Sequence, residues 1–348
     1  MMKFPTRRLL IPLSSVVLLA FAITAVRARA NPYLPKPGEP PVTVYLSTCA
    51  VTGGFMHVYT ALDQNIFEKY GIQVKHVVIR GGTNVNLAAL GSDEVQFLYC
   101  AADSTMGAMA AGRDAMLIAS PLVGLPYMII ARKEIRTVQD LKGKNIAIGT
   151  VAGLPFRLLT TFTKKFGLTD TEIRPIGGTQ PERYAALLQG LVHSSAFTPP
   201  MDARAKKDGL NIVYHLNELG LPSIYSSLHT NAKSLRDRRQ TVQRVVAALA
   251  EAVQFAEANP DKAKAAVAKA LRVNDDGVLQ SSYEAYAKRH VNRRLIVPTN
   301  AVADSIEMTR EAGLKTTKKT HEIVDNSFAE NLEKSGFLKE LWGGKLPN

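Results

Sequence analysis

The 348-residue sequence lacks the motifs of the common nucleotide-using and hydrolytic enzymes. No Gly-x-Gly-x-x-Gly follows the first predicted strand, so nothing supports a dinucleotide site. The stretch GKNIAIGTVAGLPFR (143–157) joins a strand to a helix through glycines, but it lacks the Gly-Lys-Ser/Thr ending of a phosphate-binding loop. No Gly-x-Ser-x-Gly elbow is present either. No residue pattern carries enzymatic chemistry, and we expect a protein that is not an enzyme.

Metal-binding residues are sparse as well. The seven histidines form no His-Glu-x-x-His pair and do not cluster with the two cysteines, which argues against a metal site. We expect no cofactor.

Residues 1–30 have the pattern of an export signal. A basic start (Lys3, Arg7, Arg8) precedes the uncharged stretch 9–26, and a small-x-small pattern ends at Ala30. The uncharged stretch is short for a membrane span, which needs roughly 20 residues. We therefore expect cleavage after Ala30 and leave open whether export follows the Sec or the Tat route.

Basic residues exceed acidic ones even without the export signal, by 38 to 30. They are scattered along predicted helices without interleaved aromatic residues. A solvated basic face is therefore favoured over a nucleic-acid surface, and we expect no nucleic-acid partner.

Strands and helices alternate after a proline-rich stretch, 31–41, which we interpret as a stiff, extended linker. Alternation of this kind predicts βαβ units and mainly parallel sheets, here in two α/β lobes with a helical C-terminal section. The predicted strands are 42–48, 72–79, 95–100, 115–119, 127–131, 146–149, 172–176, 192–197 and 223–230. The predicted helices are 55–70, 84–90, 103–111 and most of the chain from residue 234 onward.

Ligands of open parallel sheets bind beyond the carboxyl ends of the strands. The segments at these positions are 49–54, 81–84, 100–103, 149–153 and 198–200. Three of them lead into predicted helices, whose free N–H groups attract anions. Because Asp103 is the one acid near the first group of strand ends, an anionic or neutral polar ligand fits better than an amine.

Several residues near these strand ends allow two interpretations. Arg157 lies in the first turn of its helix, where a cation opposes the macrodipole and calls for an acidic partner or an anionic ligand. Phe55 and Tyr225 could cover a ligand, although Phe55 also has the spacing of a core residue. Thr198 could cap a helix or face the ligand. Thr179 begins a Thr-x-x-Glu capping box.

Four stretches resemble one family and cover about residues 42–260 in order. They are ALDQNIFEKYGIQV (61–74), GGTNVNLAALGSDEVQFLYCAADS (81–104), TVQDLKGKNIAIGTVAG (137–153) and PERYAALLQGLVHSSAFTPP (181–200). The sequence is similar to the solute-binding proteins of ABC importers for nitrate, sulfonate, taurine and thiamine-pyrimidine precursors, the NMT1/THI5-like group. Asn65 stands where that family usually has glycine and His193 where it usually has aspartate. Leu154-Pro-Phe156 replaces a small, hydroxyl-rich helix start, which leaves the ligand class open.

The resemblance implies an α/β fold of the two-lobed, type II periplasmic binding protein class, with two crossing strands as a hinge. One lobe would comprise 42–126 plus 227–348 and the other 127–226. A periplasmic monomer would close on a small anionic or polar organic solute (sulfonate, nitrate, carboxylate or pyrimidine class) and dock on an ABC permease with a separate ATPase. An exported sensor is the main alternative. A pyrimidine-synthase-like enzyme on the same fold is a weaker one, because its cysteine-rich motif is missing.

The resemblance also places ligand contacts on the residues after the strands. The predicted set is Cys49, Thr52, Gly53, Phe55, Gly82, Thr83, Asn84, Cys100, Ala101, Thr150, Gly153, Leu154, Arg157, Thr198 and Tyr225. In this fold Cys49 and Cys100 lie at the same end of neighbouring strands, where they either form a disulfide or line the cleft as free thiols.

Overall fold

Two five-stranded sheets organise the chain. The computed structural model describes residues 31–80, 83–149, 153–177, 179–311 and 313–348, so the predicted export signal lies outside the described residues. The strands are β1 (Val42–Thr48), β2 (Ile72–Val78), β3 (Phe97–Ala101), β4 (Met116–Val123), β5 (Met128–Ala131), β6 (Asn145–Ile148), β7 (Glu172–Pro175), β8 (Ser194–Phe197), β9 (Asn211–His215) and β10 (Ile224–Thr230).

The first sheet has the order β2-β1-β3-β10-β4 and the second β7-β6-β8-β5-β9. In the first sheet β10 runs antiparallel to its neighbours, and in the second β5 does, while the other pairs are parallel. Both sheets are thus mixed, and the α/β class predicted from the alternation is confirmed, with four of the five strands in each sheet running in one direction. We call the two halves of the fold the first and the second lobe after these sheets.

Helices cover both sheets. They are α1 (Met56–Asp63), α2 (Ile66–Lys69), α3 (Thr83–Gly91), α4 (Ala102–Ala110), α5 (Gly153–Lys165), α6 (Gln180–Leu188), α7 (Met201–Lys207), α8 (Ala232–Asp237), α9 (Arg239–Ala258), α10 (Pro260–Leu271), α11 (Asp276–Tyr283, continued by a π-helical turn Glu284–Arg289), α12 (Thr299–Glu311), α13 (Ser327–Lys334) and α14 (Phe337–Leu341). Within the described ranges, no helix has the length and apolar character needed to cross a bilayer.

Two details differ from the prediction. The single helix expected over 55–70 is wrong, because the chain breaks between α1 and α2 at Asn65, whose φ of 52° lies in the left-handed region that asparagine tolerates. Strand β9 was not predicted. It is a short edge strand with half-exposed residues, and its pattern therefore lacks the apolar run of a buried strand.

The sheets are apolar on both faces because helices cover both. In β5, Ile129 and Ala131 join one core cluster, whereas Met128 and Ile130 join the cluster on the opposite face. This burial on two sides explains why the strand is a continuous apolar run. In the first lobe the long helix α9 buries one face, which carries Val242, Val245, Val246, Leu249 and Val253, against the sheet.

The proline-rich segment folds onto the first lobe, so the interpretation as an extended linker is wrong. It contains turns, one with Gly38 at a φ of 81°, and is anchored by side chains. The Tyr33 ring packs edge-on against Phe337. Glu39 accepts two hydrogen bonds, of 2.6 and 2.8 Å, from the guanidinium of Arg244, whose side chain is only 5% exposed.

Replacing Glu39 by glutamine should lower the melting temperature at neutral pH, because it leaves Arg244 buried without a counter-charge. The hydrogen bonds from Arg244 hold the pKa of Glu39 down to about 2. The wild type should therefore keep its advantage above about pH 5 and lose it as the pH falls toward about 2. Thermal unfolding of both proteins across this range measures the difference.

Glu134→Gln provides the control, because Glu134 pairs with Arg132 at the exposed surface. This variant should change the melting temperature little at any pH. An equal loss of stability in Glu39→Gln at all pH values would contradict the role assigned to the Glu39 charge.

Candidate functional site between the two lobes

The carboxyl ends of β1 and β3 lie at one edge of the first sheet, because the two strands are parallel and adjacent. Strand β10 enters that edge from the opposite direction, with Ser226 paired to Ala101. Tyr225, one residue earlier, therefore lies beside the residues that follow β3. The segments that follow β1 and β3 are in this way brought together.

Cys49 and Cys100 form a disulfide across this edge, with their Cα atoms 5.5 Å apart. Thr48 is the last residue of β1 and pairs with Tyr99, so Cys49 and Cys100 are the next residues in register. Because β1 ends at Thr48, the side chain of Cys49 no longer follows the alternating directions of the strand and can point toward Cys100. The structure thus shows the disulfide alternative and leaves no free thiol at these positions.

Three tyrosines join the lobes at the start of β10. The rings of Tyr225 and Tyr286 are stacked with centroids 5.6 Å apart, and Tyr127, at the start of the second lobe, packs edge-on against Tyr225 at 6.3 Å. Tyr286 is fully buried, and its hydroxyl donates a 2.8 Å hydrogen bond to the carbonyl of Pro199. Burial raises the pKa of Tyr286 well above its usual value, so the phenol stays neutral. We call Tyr127, Tyr225 and Tyr286 the tyrosine cluster.

The glycines after β1 allow the tyrosine cluster to approach the backbone closely. A Cβ on Gly54 would lie 2.7 Å from Cε1 of Tyr225, and one on Gly53 would lie 2.7 Å from Oγ of Ser282. The hydroxyl of Ser226 donates to the carbonyl of Gly54 at 3.2 Å. These glycines are therefore needed for packing in the observed arrangement.

Thr198 is buried at the end of β8 and connects that strand to α6. Its backbone N–H donates to Oε1 of Gln180 at 2.8 Å, and Nε2 of Gln180 donates to the Thr198 hydroxyl at 2.9 Å. Helix α7 has Pro200 at its N-cap with no side-chain cap, so the capping alternative for Thr198 is wrong. The capping box predicted at Thr179 is confirmed by its reciprocal bonds with Glu182.

Arg157 binds an acid of the other lobe. Its Nη1 and Nη2 donate to the two carboxylate oxygens of Asp304 at 2.7 and 3.0 Å. Helix α5 belongs to the second lobe and α12 to the first, and Met308 of α12 also packs against the core cluster of the second lobe. Of the two sequence-based alternatives for Arg157, the structure shows the acidic partner.

A second polar contact connects α7 and α11. Lys207 pairs with Asp275, and the Ser281 hydroxyl donates to Oδ1 of Asp202 at 2.5 Å. The pairing with Lys207 holds the pKa of Asp275 below its usual value. A cavity of about 510 Å³ separates the two elements beside this contact. The lobes therefore touch at two further places besides the tyrosine cluster.

This architecture agrees with comparisons to known proteins. A family model described as NMT1/THI5 like matches residues 53–263. The chain belongs to the NMT1/THI5-like family. The family-level resemblance noted in the sequence is thereby confirmed.

Curated relatives are distant. A putative ABC transporter periplasmic binding protein of Brachyspira hyodysenteriae is 24% identical over 223 residues, which cover 58% of this chain and 62% of that protein. A putative binding protein of Brucella abortus is 23% identical, with 62% and 67% covered. The match thus spans three-fifths to two-thirds of the length of these relatives.

Solved structures show the fold. The periplasmic aliphatic sulphonate binding protein SsuA of Escherichia coli superposes with a TM-score of 0.67 at 19% identity, covering 82% of this chain and 92% of that one. The alkanesulfonate-binding protein SsuA of Xanthomonas axonopodis pv. citri, bound to MOPS, gives 0.63 at 16%, covering 83% and 99%. The two-lobed periplasmic binding protein fold expected from the sequence is confirmed.

The remaining predicted site residues of this NMT1/THI5-like chain lie on several elements of both lobes. Phe55 is a core residue, only 3% exposed, and packs edge-on against Tyr99. Thr52 accepts a long hydrogen bond from the Gly54 N–H, and Ala101 ends β3. Thr83 and Asn84 begin α3, and Gly153 begins α5. Gly82 and Thr150 lie outside the described residues, as does the side chain of Leu154.

Sequence reasoning missed the partners of the predicted residues. The missed residues are Tyr127, Gln180, Ser282, Tyr286 and Asp304. Tyr127 follows a proline at the crossing between the lobes, and this position could have marked it. Tyr286 and Asp304 lie on C-terminal helices, where helical periodicity identifies a buried face but not the element that covers it.

The disulfide should leave no free thiol in the unreduced protein under denaturing conditions, which a thiol count would check. The double substitution Cys49→Ala/Cys100→Ala opens a loop of 51 residues. The loop-entropy relation then predicts a loss of up to about 4 kcal/mol in the free energy of unfolding. Two titratable thiols in the unreduced protein would contradict the bond.

Arg157→Gln combined with Lys207→Gln removes both charged contacts between the lobes. Partly exposed ion pairs contribute up to about 1 kcal/mol each, enough to shift a balance between lobe arrangements several-fold. The solute-free variant should have a larger radius of gyration by small-angle X-ray scattering. The control, Arg132→Gln with Arg236→Gln, removes two ion pairs that lie within single lobes. Equal radii for the two double variants would show that these contacts do not hold the lobes together.

Proposed function

We propose that this chain is the extracytoplasmic solute-binding component of an ABC importer. It captures a small anionic or polar organic solute between its lobes and delivers it to a membrane permease served by a separate ATPase. The names of the relatives support this proposal, since they include an ABC transporter periplasmic binding protein. The proposal places the mature protein in the periplasm, as a monomer without catalytic activity.

The observation that carries the proposal is the meeting of both lobes at the carboxyl ends of their strands. Residues after β1, β3 and β8 meet the tyrosine cluster there, and two polar contacts also connect the lobes. In sheets of this kind ligands bind at that edge. We take 42–126 with 224–348 and 127–223 as the lobes, and the expected boundary at 226/227 moves because β10 (Ile224–Thr230) lies entirely in the first sheet.

Closure would be a hinge motion at the two crossings of the chain between the sheets. The crossings lie side by side, since the Gly124 N–H donates to Ser223 O at 3.1 Å and the Leu216 N–H donates to Tyr127 O at 2.9 Å. Gly124 has a φ of 83°, a conformation that suits glycine. Two short adjacent connections let the lobes rotate with few contacts broken.

The solute class follows from the side chains at the edge. Tyr127 and Tyr225 of the tyrosine cluster are partly exposed and offer aromatic surface, and the charge of Arg157 is already balanced by Asp304. A solute with a flat or apolar body and a polar or anionic group suits such a site better than a bare inorganic ion. Among the four expected classes, this favours organic sulfonates, aromatic carboxylates and pyrimidines over nitrate.

Native mass spectrometry of the gently purified mature protein should reveal a small-molecule adduct that is lost on denaturation. A thermal-shift panel of ethanesulfonate, benzoate, a pyrimidine and nitrate then identifies the class. Tyr225→Ala should weaken binding of the identified solute at least about tenfold, because it removes the central ring of the cluster. Tyr45→Ala is the matched control, since Tyr45 is 46% exposed on β1, away from the strand ends.

Equal weakening by the two tyrosine substitutions would place the solute elsewhere. An exported sensor would bind solute in the same way but would not support uptake, so a transport assay in a deletion strain separates the two functions. Conversion of the bound solute would contradict the assignment as a binding protein.

A further inference from the structure

A second cavity, of about 760 Å³, lies on the flank of the first lobe. It is bounded by α1, by the end of β2 and by the end of α10, and none of its described lining residues belongs to the second lobe. Its volume is in the range of small-molecule sites, roughly 300–1,000 Å³. The cavity shares Val51 with the strand-end segment 49–54 but none of its lining with the tyrosine cluster, so we treat it as a separate site.

The rim of this cavity carries an excess of positive charge. Arg80, Lys269 and Arg272 line it together with one acid, Asp63. Asp63 is paired with Lys269 at 2.9 Å. Among the described residues, neither Arg80 nor Arg272 forms an ion pair, so two guanidinium groups at the rim have no counter-charge there.

Arg272 occupies a backbone position that favours glycine. It caps the end of α10 with a φ of 54°, in the left-handed region that side chains with a Cβ disfavour. Glycine is the usual residue at such a helix end. A long cationic side chain is present at this position despite the backbone strain, which is the pattern of a functional residue.

The floor and walls of the cavity are neutral and partly apolar. His76 contacts the Thr48 hydroxyl through Nε2 at 3.0 Å, and Tyr59 accepts a 3.3 Å hydrogen bond from the Thr52 N–H. Burial lowers the pKa of His76, so its ring is neutral at pH 7. Val51 and Val78 are 43% and 37% exposed on the walls. Apolar walls below a cationic rim match a molecule with an apolar body and an anionic end.

We propose that this cavity binds a small amphiphilic organic anion, with its carboxylate, sulfonate or phosphate held by Arg80 and Arg272 and its apolar body against Val51 and Val78. Arginine is suited to this role because its planar fork matches such groups bidentately. The concave shape favours a small molecule over a protein surface. The inference does not depend on the function proposed for the site between the lobes.

The test uses the fluorescent anion 8-anilinonaphthalene-1-sulfonate, which has an aromatic body and a sulfonate. Its dissociation constant is measured by fluorescence titration for the wild type and for the double variant R80Q/R272G. Glycine suits the backbone at position 272, so this variant should keep its fold, which its melting temperature verifies. Binding should weaken at least tenfold in R80Q/R272G.

Two controls locate the effect. N65G/R136Q places glycine at another left-handed position and removes an exposed arginine of the second lobe, and it should bind the probe as the wild type does. The variant Y225A should keep the part of the probe binding that R80Q/R272G loses, because Tyr225 does not line this cavity.

Equal affinity of the wild type and R80Q/R272G would overturn the proposal, as would loss of probe binding in Y225A alone, which places the probe between the lobes. Impaired solute uptake by R80Q/R272G with unchanged probe binding would also overturn it, because the arginines would then serve a protein partner. Failure of the importer assignment leaves the expected probe results unchanged, so the two proposals can fail separately.

Discussion

A parallel sheet must be covered on both faces, and this constraint determines the layout of the molecule. Covering both faces makes a central strand such as β5 apolar throughout and assigns the faces of each sheet to helices, whereas an edge strand such as β9 stays half-exposed. The faces are then unavailable to a ligand. The carboxyl ends of the strands are the places where backbone and polar side chains can meet a solute, and in this chain those ends lie where the two lobes touch.

The strength of the contacts between the lobes determines how much free energy a bound solute must contribute to closure. The contacts include a bidentate ion pair, Arg157 with Asp304, a more exposed pair, Lys207 with Asp275, and aromatic packing through the tyrosine cluster. Partly exposed ion pairs are worth little, and their charges are readily hydrated when separated. Contacts of this kind orient one lobe relative to the other but are too weak to hold the lobes in the closed arrangement. In the proposed function, the free energy that selects the closed form comes from a solute that touches both lobes.

Most strands could be predicted from the sequence. A strand buried on two faces, such as β5, is a short run of apolar residues, and this pattern is easy to recognise. Prediction failed where tertiary context overrides local pattern. Asn65 breaks a helix that periodicity would continue, and edge strand β9 lacks the apolar run. At the site, the strand ends could be located from the sequence, but the residues that contact them could not. Asp304 and Tyr286 come from helices far along the chain, and the local sequence does not indicate that they contact Arg157 and Tyr225. Both cysteines could be placed at one end of neighbouring strands, yet the bond between them depends on the direction in which the chain leaves β1.

Arg157 and the acid that balances its charge, Asp304, lie in different lobes. Arg157 is the fifth residue of α5, one position past the first turn, so the macrodipole acts on its cation only weakly and its charge still lacks a partner within the second lobe. Asp304 balances that charge, but it comes from the first lobe, so the pairing exists only while the lobes are together. When they separate, water replaces the carboxylate at modest cost. The ion pair therefore acts mainly on geometry: it aligns the start of α5 with the strand ends of the first lobe, where a bound solute has to meet both.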